Sequence, residues 1–385
     1  MKNIPYSHQH IDQDDINSVV EALKSDFLTQ GPRVKEFEES LVEYCRARFA
    51  VAFSSGTAAL HGAYFAAGLG EGDEIITSPM TFLATSNAAL FLGARPVFVD
   101  IEPKTGNIDP HLIEKAITDK TKAIVPIHFS GHPVELARIA EIAQKQNLVV
   151  IEDACHALGA KYLDTRIGDC KYSNMAVFSF HPVKSITTGE GGAVLTNSEE
   201  LYKKLAMFRQ HGVTKDRTAF KNDDMDWGQW YHEMHYLGYN YRLTDIHSAL
   251  GISQLKKLDG FIQSKREIVA AYAQAFKNTP FFDLPIEKDG VKSAWHLYPI
   301  RLKDKFIKKK VELFSNLRKR GLWVQVHYIP VHLQPYYQQI GYKKGLCPNA
   351  EDFYKREISI PLYPTMSDDD VEYVVKSLLG VFEQY

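Results

Sequence analysis

Short apolar segments alternate with helical patterns between residues 49 and 197, and this alternation limits the folds available to the chain. The segments are FAVAF (49–53), EIIT (74–77), RPVFVDI (95–101), KAIVPI (122–127), LVVIE (148–152), MAVFSF (175–180) and GAVLTN (192–197). Helical patterns lie between them at 57–67, 110–117 and 133–146. Short continuous apolar strands separated by helices are typical of a mainly parallel sheet covered on both faces. The alternation therefore predicts an α/β fold.

The chain changes character near Leu243. Before the first strand, apolar residues at helical spacing predict two amphipathic helices, one around Ile16 and one around Phe37. Beyond Leu243 come a long helical stretch, the strand-like segments HLYPIRL (296–302) and VQVHYI (324–329), and a closing helical pattern at 367–384. We therefore expect a large α/β domain over 1–245, which includes the N-terminal helices, and a smaller α+β domain over 246–385.

The composition excludes several classes of protein. The formal net charge of −2 over 385 residues gives no sign of a nucleic-acid or anionic-membrane partner. The four cysteines contain no CxxC pair, which argues against a disulfide framework or a cysteine-based zinc site. The N-terminal residues lack the apolar core of a signal peptide, and no apolar run approaches the ~18 residues that a membrane span needs. We expect a soluble protein of the reducing cytoplasm.

A single lysine, Lys184, lies between two apolar strands in AVFSFHPVKSITTGEGGAVLTN (176–197). Small residues follow it from Thr187 to Gly192 and allow a close approach of the backbone. A buried lysine is costly unless its charge is paired or given up. The position therefore indicates a lysine with a covalent or electrostatic role.

Three other features fall where ligands bind in such sheets. The run Ser54 to Thr57 joins a strand to an alanine-rich helix, whose N-terminus would attract phosphate. Asp153 follows a buried strand, and Phe82 follows another. Taken singly, each has a more common structural explanation: a helix cap, a loop cap and a core residue. Together with Lys184 they are the parts that hold pyridoxal phosphate: a covalent lysine, a carboxylate for the ring nitrogen, a stacking ring and a phosphate cradle.

The chain resembles the DegT/DnrJ/StrS family of sugar-nucleotide aminotransferases. The resemblance is carried, in order, by SSGTAAL, TFLATSNAAL, PVFVDIEPKTGNID, IEDACHALGA, FSFHPVKSITTGEGGAVLTN and GYNYRLTDIHSALGISQL, and it covers essentially the whole chain. It implies a pyridoxal-phosphate-dependent, aspartate-aminotransferase-like fold of type I. It also implies a homodimer with two active sites at the subunit interface.

Within this family, the segments VKSITTGEGGAVLTN, LTQGP and VQVHYIP most resemble the branch of pseudaminic acid biosynthesis. The resemblance implies amination at C4 of UDP-2-acetamido-2,6-dideoxy-β-L-arabino-hexos-4-ulose, with glutamate as the amino donor. Ser185 stands where similar enzymes often have proline.

The resemblance also implies the roles of individual residues. The catalytic residues would be Lys184, as covalent cofactor lysine and proton carrier, Asp153, at the pyridine nitrogen, and His156, near the ring oxygen or Asp153. The other cofactor-binding residues would be Phe82, stacked on the ring, and Gly56, Thr57, Ser179 and, from a neighbouring subunit, Asn240, at the phosphate. The substrate-binding residues would be Tyr6, Asp26, Phe27, Leu28, Thr29, Gly56, Ser179, Asn240, Gln325, Val326, His327 and Tyr328.

Other functions stay open at this point. An aminotransferase for another UDP- or dTDP-linked 4-keto-6-deoxy sugar is the first alternative, a pyridoxal phosphate sugar dehydratase the second and a non-catalytic regulatory protein the third. Lys184 argues against a dehydratase, because dehydratases of this family lack that lysine. His232 and His235 have no third ligand nearby in the sequence, so we expect no metal site there. We expect the surrounding segment 222–238 to shape a sugar or nucleotide pocket.

Overall fold

A seven-stranded sheet forms the centre of the computed structural model, which describes residues 2–222 and 228–385. Its strands, in spatial order, are β2 (Phe49–Phe53), β10 (Gly192–Thr196), β9 (Met175–Ser179), β6 (Val149–Asp153), β5 (Thr121–Val125), β3 (Glu74–Thr77) and β4 (Arg95–Phe98). Only β10 runs antiparallel to its two neighbours, whereas the other pairings are parallel. The predicted mainly parallel α/β fold is therefore confirmed.

Fourteen α-helices are described around this sheet and beyond it. They are α1 (Gln13–Lys24), α2 (Pro32–Cys45), α3 (Gly56–Ala66), α4 (Ala84–Leu90), α5 (Pro110–Ala116), α6 (Leu136–Gln146), α7 (Glu199–Phe208), α8 (Asp245–Leu255), α9 (Leu258–Ala275), α10 (Asp304–Ile307), α11 (Lys310–Lys319), α12 (Pro335–Gln339), α13 (Pro348–Arg356) and α14 (Asp368–Phe382). None of them combines the length and the apolar character that a membrane-spanning helix requires.

Apolar side chains cover both faces of the central sheet, as its continuous apolar strands predict. One cluster joins alternate residues of the strands, such as Ala52 and Phe178, to α2 and α6, and includes Phe37 and Ile139. A second cluster, on the opposite face, packs α3 and α7 on residues such as Val177. The two layers leave the carboxyl ends of the parallel strands as the edge where polar side chains gather.

A smaller antiparallel sheet lies in the last third of the chain, with the order β13 (Phe282–Asp283), β15 (Tyr298–Leu302) and β17 (Glu357–Ile360). The helices α9, α11 and α14 pack around it in a cluster of their own. The remaining short strands are β1 (Ile4–Pro5), β7 (Lys161–Tyr162), β8 (Thr165–Arg166), β11 (Val213–Thr214), β12 (Glu233–Met234), β14 (Val291–Lys292) and β16 (Leu322–Trp323). Because β1 pairs with β16, the start of the chain contacts this C-terminal part. The domain boundary between 245 and 246 stays a prediction.

The strand predicted over 324–329 is wrong. The strand β16 ends at Trp323, and of the predicted segment only Gln325 forms a bridge, to Ser359. The amide of His327 donates instead to the Glu357 side chain, 2.8 Å away, and that of Tyr328 to the sulfur of Met80. The alternating residues of VQVHYI thus form an irregular segment, because side chains rather than a neighbouring strand accept its backbone hydrogen bonds.

Candidate active site

A cavity of about 480 Å³ lies at the carboxyl edge of the central sheet. Its walls come from the turn between β2 and α3, the ends of β6 and β9, the loop between β9 and β10, and the irregular segment after β16. Parallel strands present their carboxyl ends together, so residues distant in the sequence meet here. The size is that of a ligand pocket for a small organic molecule.

Lys184 reaches this cavity from the loop between β9 and β10. Its backbone amide donates to the carbonyl of His181, which fixes the loop at the lysine. Within the described ranges, its Nζ forms no hydrogen bond or ion pair. Burial lowers the pKa of Lys184, although the neighbouring Cys155 and Asp153 oppose this effect. A lysine of this kind has a larger neutral fraction than an exposed one, and its neutral amine is a nucleophile and a proton acceptor.

Asp153 is the last residue of β6 and is 5% exposed. Thr85 Oγ1 donates to its Oδ2 over 2.6 Å, and the Cys155 amide donates to its Oδ1 over 3.2 Å. Thr81 Oγ1 lies 2.8 Å from Thr85 Oγ1 and extends the network. Two donors thus orient the carboxylate toward the cavity while each oxygen retains a free lone pair.

The N-terminus of α3 forms a concave polar wall of the same cavity. Ser55 caps the helix by accepting the Ala58 amide, so the amides of Gly56 and Thr57 have no partner within the helix. A Cβ at Gly56 would lie 2.9 Å from Ser179 Cβ and 3.1 Å from Ser179 Oγ. Glycine at residue 56 therefore allows Ser179 to approach the start of α3 closely. Unpaired amides and the helix dipole make this wall an anion site.

His156 and Tyr328 close the cavity on the side of the C-terminal sheet. Tyr328 OH lies 3.1 Å from His156 Nε2, and the His156 ring contacts the His296 ring, with centroids 4.2 Å apart. Burial lowers the pKa of His156 well below its usual value, and the nearby Lys184 lowers it further. Burial raises the pKa of Tyr328. Both groups are thus neutral near pH 7, and the buried His156 Nδ1 has no hydrogen-bond partner among the described residues.

Phe82 presents its ring to the cavity and is 59% exposed. A phenylalanine that served only the core would be buried. The exposed ring face is therefore free to stack on a flat ligand.

The structure brings together eleven of the residues that the resemblance indicated. The cavity is lined by Tyr6, Gly56, Thr57, Phe82, Asp153, His156, Ser179, Lys184, Gln325, His327 and Tyr328. Six others do not line it: Asp26, Phe27, Leu28, Thr29, Val326 and Asn240. Asn240 and the segment 26–29 are exposed, and Thr29 forms a bridge with Thr244, so these two groups lie on one side of the molecule.

Sequence reasoning missed several residues of the cavity. Thr81, Thr85, His181 and Glu190 line it, and Thr85 holds Asp153 directly. Thr85 stands three residues after Phe82, at the start of α4, so its position after a strand was a usable signal. The hydrogen bond from Thr85 to Asp153 could not be predicted from the sequence, because the two residues lie 68 positions apart.

The segment 222–238 is described only in part, since 223–227 lie outside the described residues. His235 Nε2 lies 2.7 Å from Glu233 Oε2, and the Glu233 carboxylate also accepts the amides of Lys221 and Asn222. His232 contacts the carbonyl of Trp230. No group of three or more potential metal ligands occurs in the part of the chain that the structure describes. The pocket role predicted for this segment stays a prediction.

Comparison with known proteins identifies the family to which the chain belongs. The model of the DegT/DnrJ/EryC1/StrS aminotransferase family matches residues 9–379. The chain is 42% identical over 384 residues to the UDP-4-amino-4,6-dideoxy-N-acetyl-beta-L-altrosamine transaminase of Campylobacter jejuni, covering 99% of this chain and 98% of the relative. It is also 42% identical over 381 residues to the spore coat polysaccharide biosynthesis protein SpsC of Bacillus subtilis, covering 98% and 97%.

A solved structure matches over the full length. Helicobacter pylori PseC, described as an aminotransferase involved in the biosynthesis of pseudoaminic acid, superposes with a TM-score of 0.92 at 38% identity. The match covers 100% of both chains.

Proposed function

The chain belongs to the DegT/DnrJ/EryC1/StrS aminotransferase family, and we propose that it uses pyridoxal 5′-phosphate to aminate C4 of a UDP-linked 4-keto-6-deoxy sugar. Membership makes it a sugar aminotransferase, and the likeness to PseC confirms the predicted aspartate-aminotransferase-like fold. The observation that carries the cofactor proposal is the unpartnered amine of Lys184, which faces the Asp153 carboxylate and the α3 N-terminus across one cavity.

The residues present fit pyridoxal phosphate. The α3 amides at Gly56 and Thr57, with Ser179 Oγ, offer a phosphate cradle, and glycine at residue 56 allows Ser179 to lie close to these amides. Phe82 offers an exposed ring face for stacking, and the Asp153 carboxylate offers a partner for a protonated pyridine nitrogen. When bound, the cofactor supplies an electron sink for the negative charge that develops at the reacting carbon.

The chain's own groups then bind, orient and move protons. Thr85 orients the Asp153 carboxylate at the end of β6. This carboxylate would stabilise the positive charge of a protonated pyridine nitrogen. Lys184 Nζ would remove a proton from the reacting carbon of the amino donor in one half-reaction and would deliver a proton to C4 of the sugar in the other, a task suited to an amine of lowered pKa. His156 and Tyr328 stay neutral and orient each other. They therefore form hydrogen bonds at the cavity wall and do not compete with Lys184 for the transferred proton.

For the sugar substrate, we propose UDP-2-acetamido-2,6-dideoxy-β-L-arabino-hexos-4-ulose, with glutamate as the amino donor. The names of the Campylobacter jejuni and Helicobacter pylori relatives support this choice. Tyr6, Gln325, His327 and Tyr328 form the wall opposite the phosphate cradle and would surround the sugar. Their hydroxyl, amide and imidazole groups match a ligand rich in hydroxyl and carbonyl oxygens. The free thiols of all four cysteines support a reaction in the cytoplasm.

We further propose a homodimer that completes the site. Exposed apolar residues of α1 and the following segment form a surface suited to a partner: Ile16, Val20, Leu23, Phe27 and Leu28. Asn240 lies on the side of the molecule where the segment 26–29 pairs with Thr244. A two-fold axis through this side would allow the partner subunit's Asn240 to reach the phosphate cradle.

Removal of the Lys184 amine tests the cofactor proposal. In Lys184→Ala, we expect loss of the visible absorbance of the cofactor-loaded protein and loss of multiple turnover. The control is Lys265→Met, which removes another buried lysine and should keep both signals. Sustained turnover by Lys184→Ala, measured by the release of amino sugar, would contradict the assignment.

A competition between substrates tests the sugar. We expect kcat/KM for the UDP-linked β-L-arabino 4-ulose to exceed that for a dTDP-linked or D-configured 4-ulose by at least ~10-fold, because several directional hydrogen bonds distinguish the sugars. The comparison uses one enzyme preparation with glutamate as donor. A preference for the dTDP-linked sugar would assign the chain to the first alternative, an aminotransferase for another 4-keto sugar.

Mixed dimers test the sharing of residues between subunits. Lys184→Ala and Asn240→Ala, each inactive alone, should recover roughly a quarter of wild-type activity after random mixing, since about half of the dimers then contain one intact site. Lys184→Ala mixed with Asp153→Ala is the control and should stay inactive, because both residues line the cavity of their own chain. If Asn240→Ala keeps activity, a larger residue at 240 replaces it. No recovery after verified subunit exchange would contradict a shared site.

A further inference from the structure

Two buried residues behind the cavity hold His327 by both its backbone and its ring. Glu357 and Ser359 lie two positions apart on β17, so their side chains share one face of the strand, and both are 0% exposed. The His327 amide donates to Glu357 Oε2 over 2.8 Å. Ser359 Oγ lies 2.5 Å from Glu357 Oε1 and 2.9 Å from His327 Nδ1. The three side chains form a continuous relay that ends at the cavity wall.

The far end of this relay is open to a ligand. His327 lines the cavity, and its Nε2 has no hydrogen bond to any described residue. Burial lowers the pKa of His327 to about 3, and the nearby Lys184 contributes to this shift. The imidazole is therefore neutral at neutral pH and carries one proton, on either Nδ1 or Nε2. The position of that proton decides whether Nε2 donates or accepts.

The single hydroxyl proton of Ser359 couples the ring to the carboxyl group. If Glu357 is ionised, both of its oxygens only accept, so Ser359 donates to Glu357 and accepts from Nδ1–H, which leaves Nε2 as an acceptor. If Glu357 is protonated at Oε1, it donates to Ser359, and Ser359 donates to Nδ1, which places the ring proton on Nε2. Oε1 is the oxygen within reach of Ser359 Oγ, and the His327 amide donated to Oε2 favours the proton on Oε1. The proton on Glu357 thus sets the tautomer of His327.

We propose that Glu357 is a protonated positioning residue which, through Ser359, fixes His327 as the Nε2–H tautomer, so that His327 donates to an acceptor oxygen of the substrate. A fully buried carboxyl group that forms no ion pair with any described residue is far more stable in its neutral form. This inference rests on the proposed function for the identity of the ligand, a carbonyl, phosphate or hydroxyl oxygen of the nucleotide sugar. The relay itself stands on the contacts alone.

The charged groups around the relay are compatible with this state. Burial raises the pKa of Glu357, while the hydrogen bond with Ser359, the Lys310 ammonium at the start of α11 and the His327 amide oppose the rise. Burial also lowers the pKa of Lys310, whose Nζ donates to the carbonyl of Tyr354. Arg301, opposite Glu357 on β15, directs its guanidinium to the carbonyl of Pro103. On the cavity side, the cation near His327 is Lys184. The nearest cations are therefore engaged elsewhere or partly neutral.

Nitrogen-15 spectra of histidine-labelled protein test the tautomer without any substrate. With His327 assigned from a His327→Asn spectrum, we expect the Nε2–H tautomer at pH 7 and a change toward Nδ1–H as the pH rises through the pKa of Glu357. Glu357→Gln keeps an amide donor to Ser359 and should hold the Nε2–H tautomer at every pH. In Ser359→Ala the tautomer should no longer depend on pH. An Nδ1–H tautomer in the wild type at pH 7 would overturn the proposal.

Steady-state kinetics test the consequence for the nucleotide sugar. Ser359→Ala should raise KM about fivefold with kcat nearly unchanged, the effect of one hydrogen bond made equally to substrate and transition state. In the wild type, KM should rise at alkaline pH as Glu357 ionises. Glu357→Gln should have the wild-type KM at pH 7 and should not show this rise. A wild-type KM in Ser359→Ala would refute the substrate contact. If instead the protein fails to aminate the proposed sugar while the spectra behave as expected, the proposed function fails and the relay stands.

Discussion

The desolvation of the Lys184 amine is the constraint on which the rest of the site depends. Desolvation disfavours the charged form of Lys184, and no described carboxylate pairs with its Nζ. The closest acidic group, Asp153, is already held by Thr85 and by the Cys155 amide. An ammonium in this position is destabilised, so the lysine has a larger neutral fraction than an exposed one and can react.

Burial also keeps three titratable side chains around Lys184 uncharged near pH 7. Burial lowers the pKa of His156 and of His327 and raises the pKa of Tyr328, so all three act as neutral hydrogen-bonding groups near pH 7. The α3 N-terminus attracts anions and the Asp153 carboxylate attracts cations, and Lys184 and Glu190 also line the cavity. In the proposed function, these two features would hold the oppositely charged ends of the cofactor, and the wall after β16 would contact the sugar substrate. The C-terminal sheet contributes to this site through β17, because Glu357 and Ser359 on that strand hold His327 at the cavity wall.

Much of this arrangement was readable from the sequence because it depends on local patterns. Continuous apolar runs predicted the seven strands of the central sheet to within a few residues, and strand ends located Lys184, Asp153 and Gly56. The segment VQVHYI was misread because its alternation is that of a strand, whereas its amides bond to Glu357 and Met80, which spacing does not reveal. Thr85 and Ser359 were missed for the same reason: their roles are set by contacts between distant segments. The role proposed for Asn240 would require a second subunit, and contacts between subunits are not encoded in local patterns of one chain.

Borohydride reduction of the protein loaded with pyridoxal 5′-phosphate tests the central claim most directly. The reagent fixes the cofactor on whichever amine holds it, and peptide mass spectrometry then identifies the residue. The structure offers a strict comparison, because Lys265 on α9 is also buried, with a pKa that burial lowers to about 8. We predict that the pyridoxyl group is found on Lys184 and that Lys265 stays unmodified. A label on Lys265, or equal labelling of many lysines, would contradict the account.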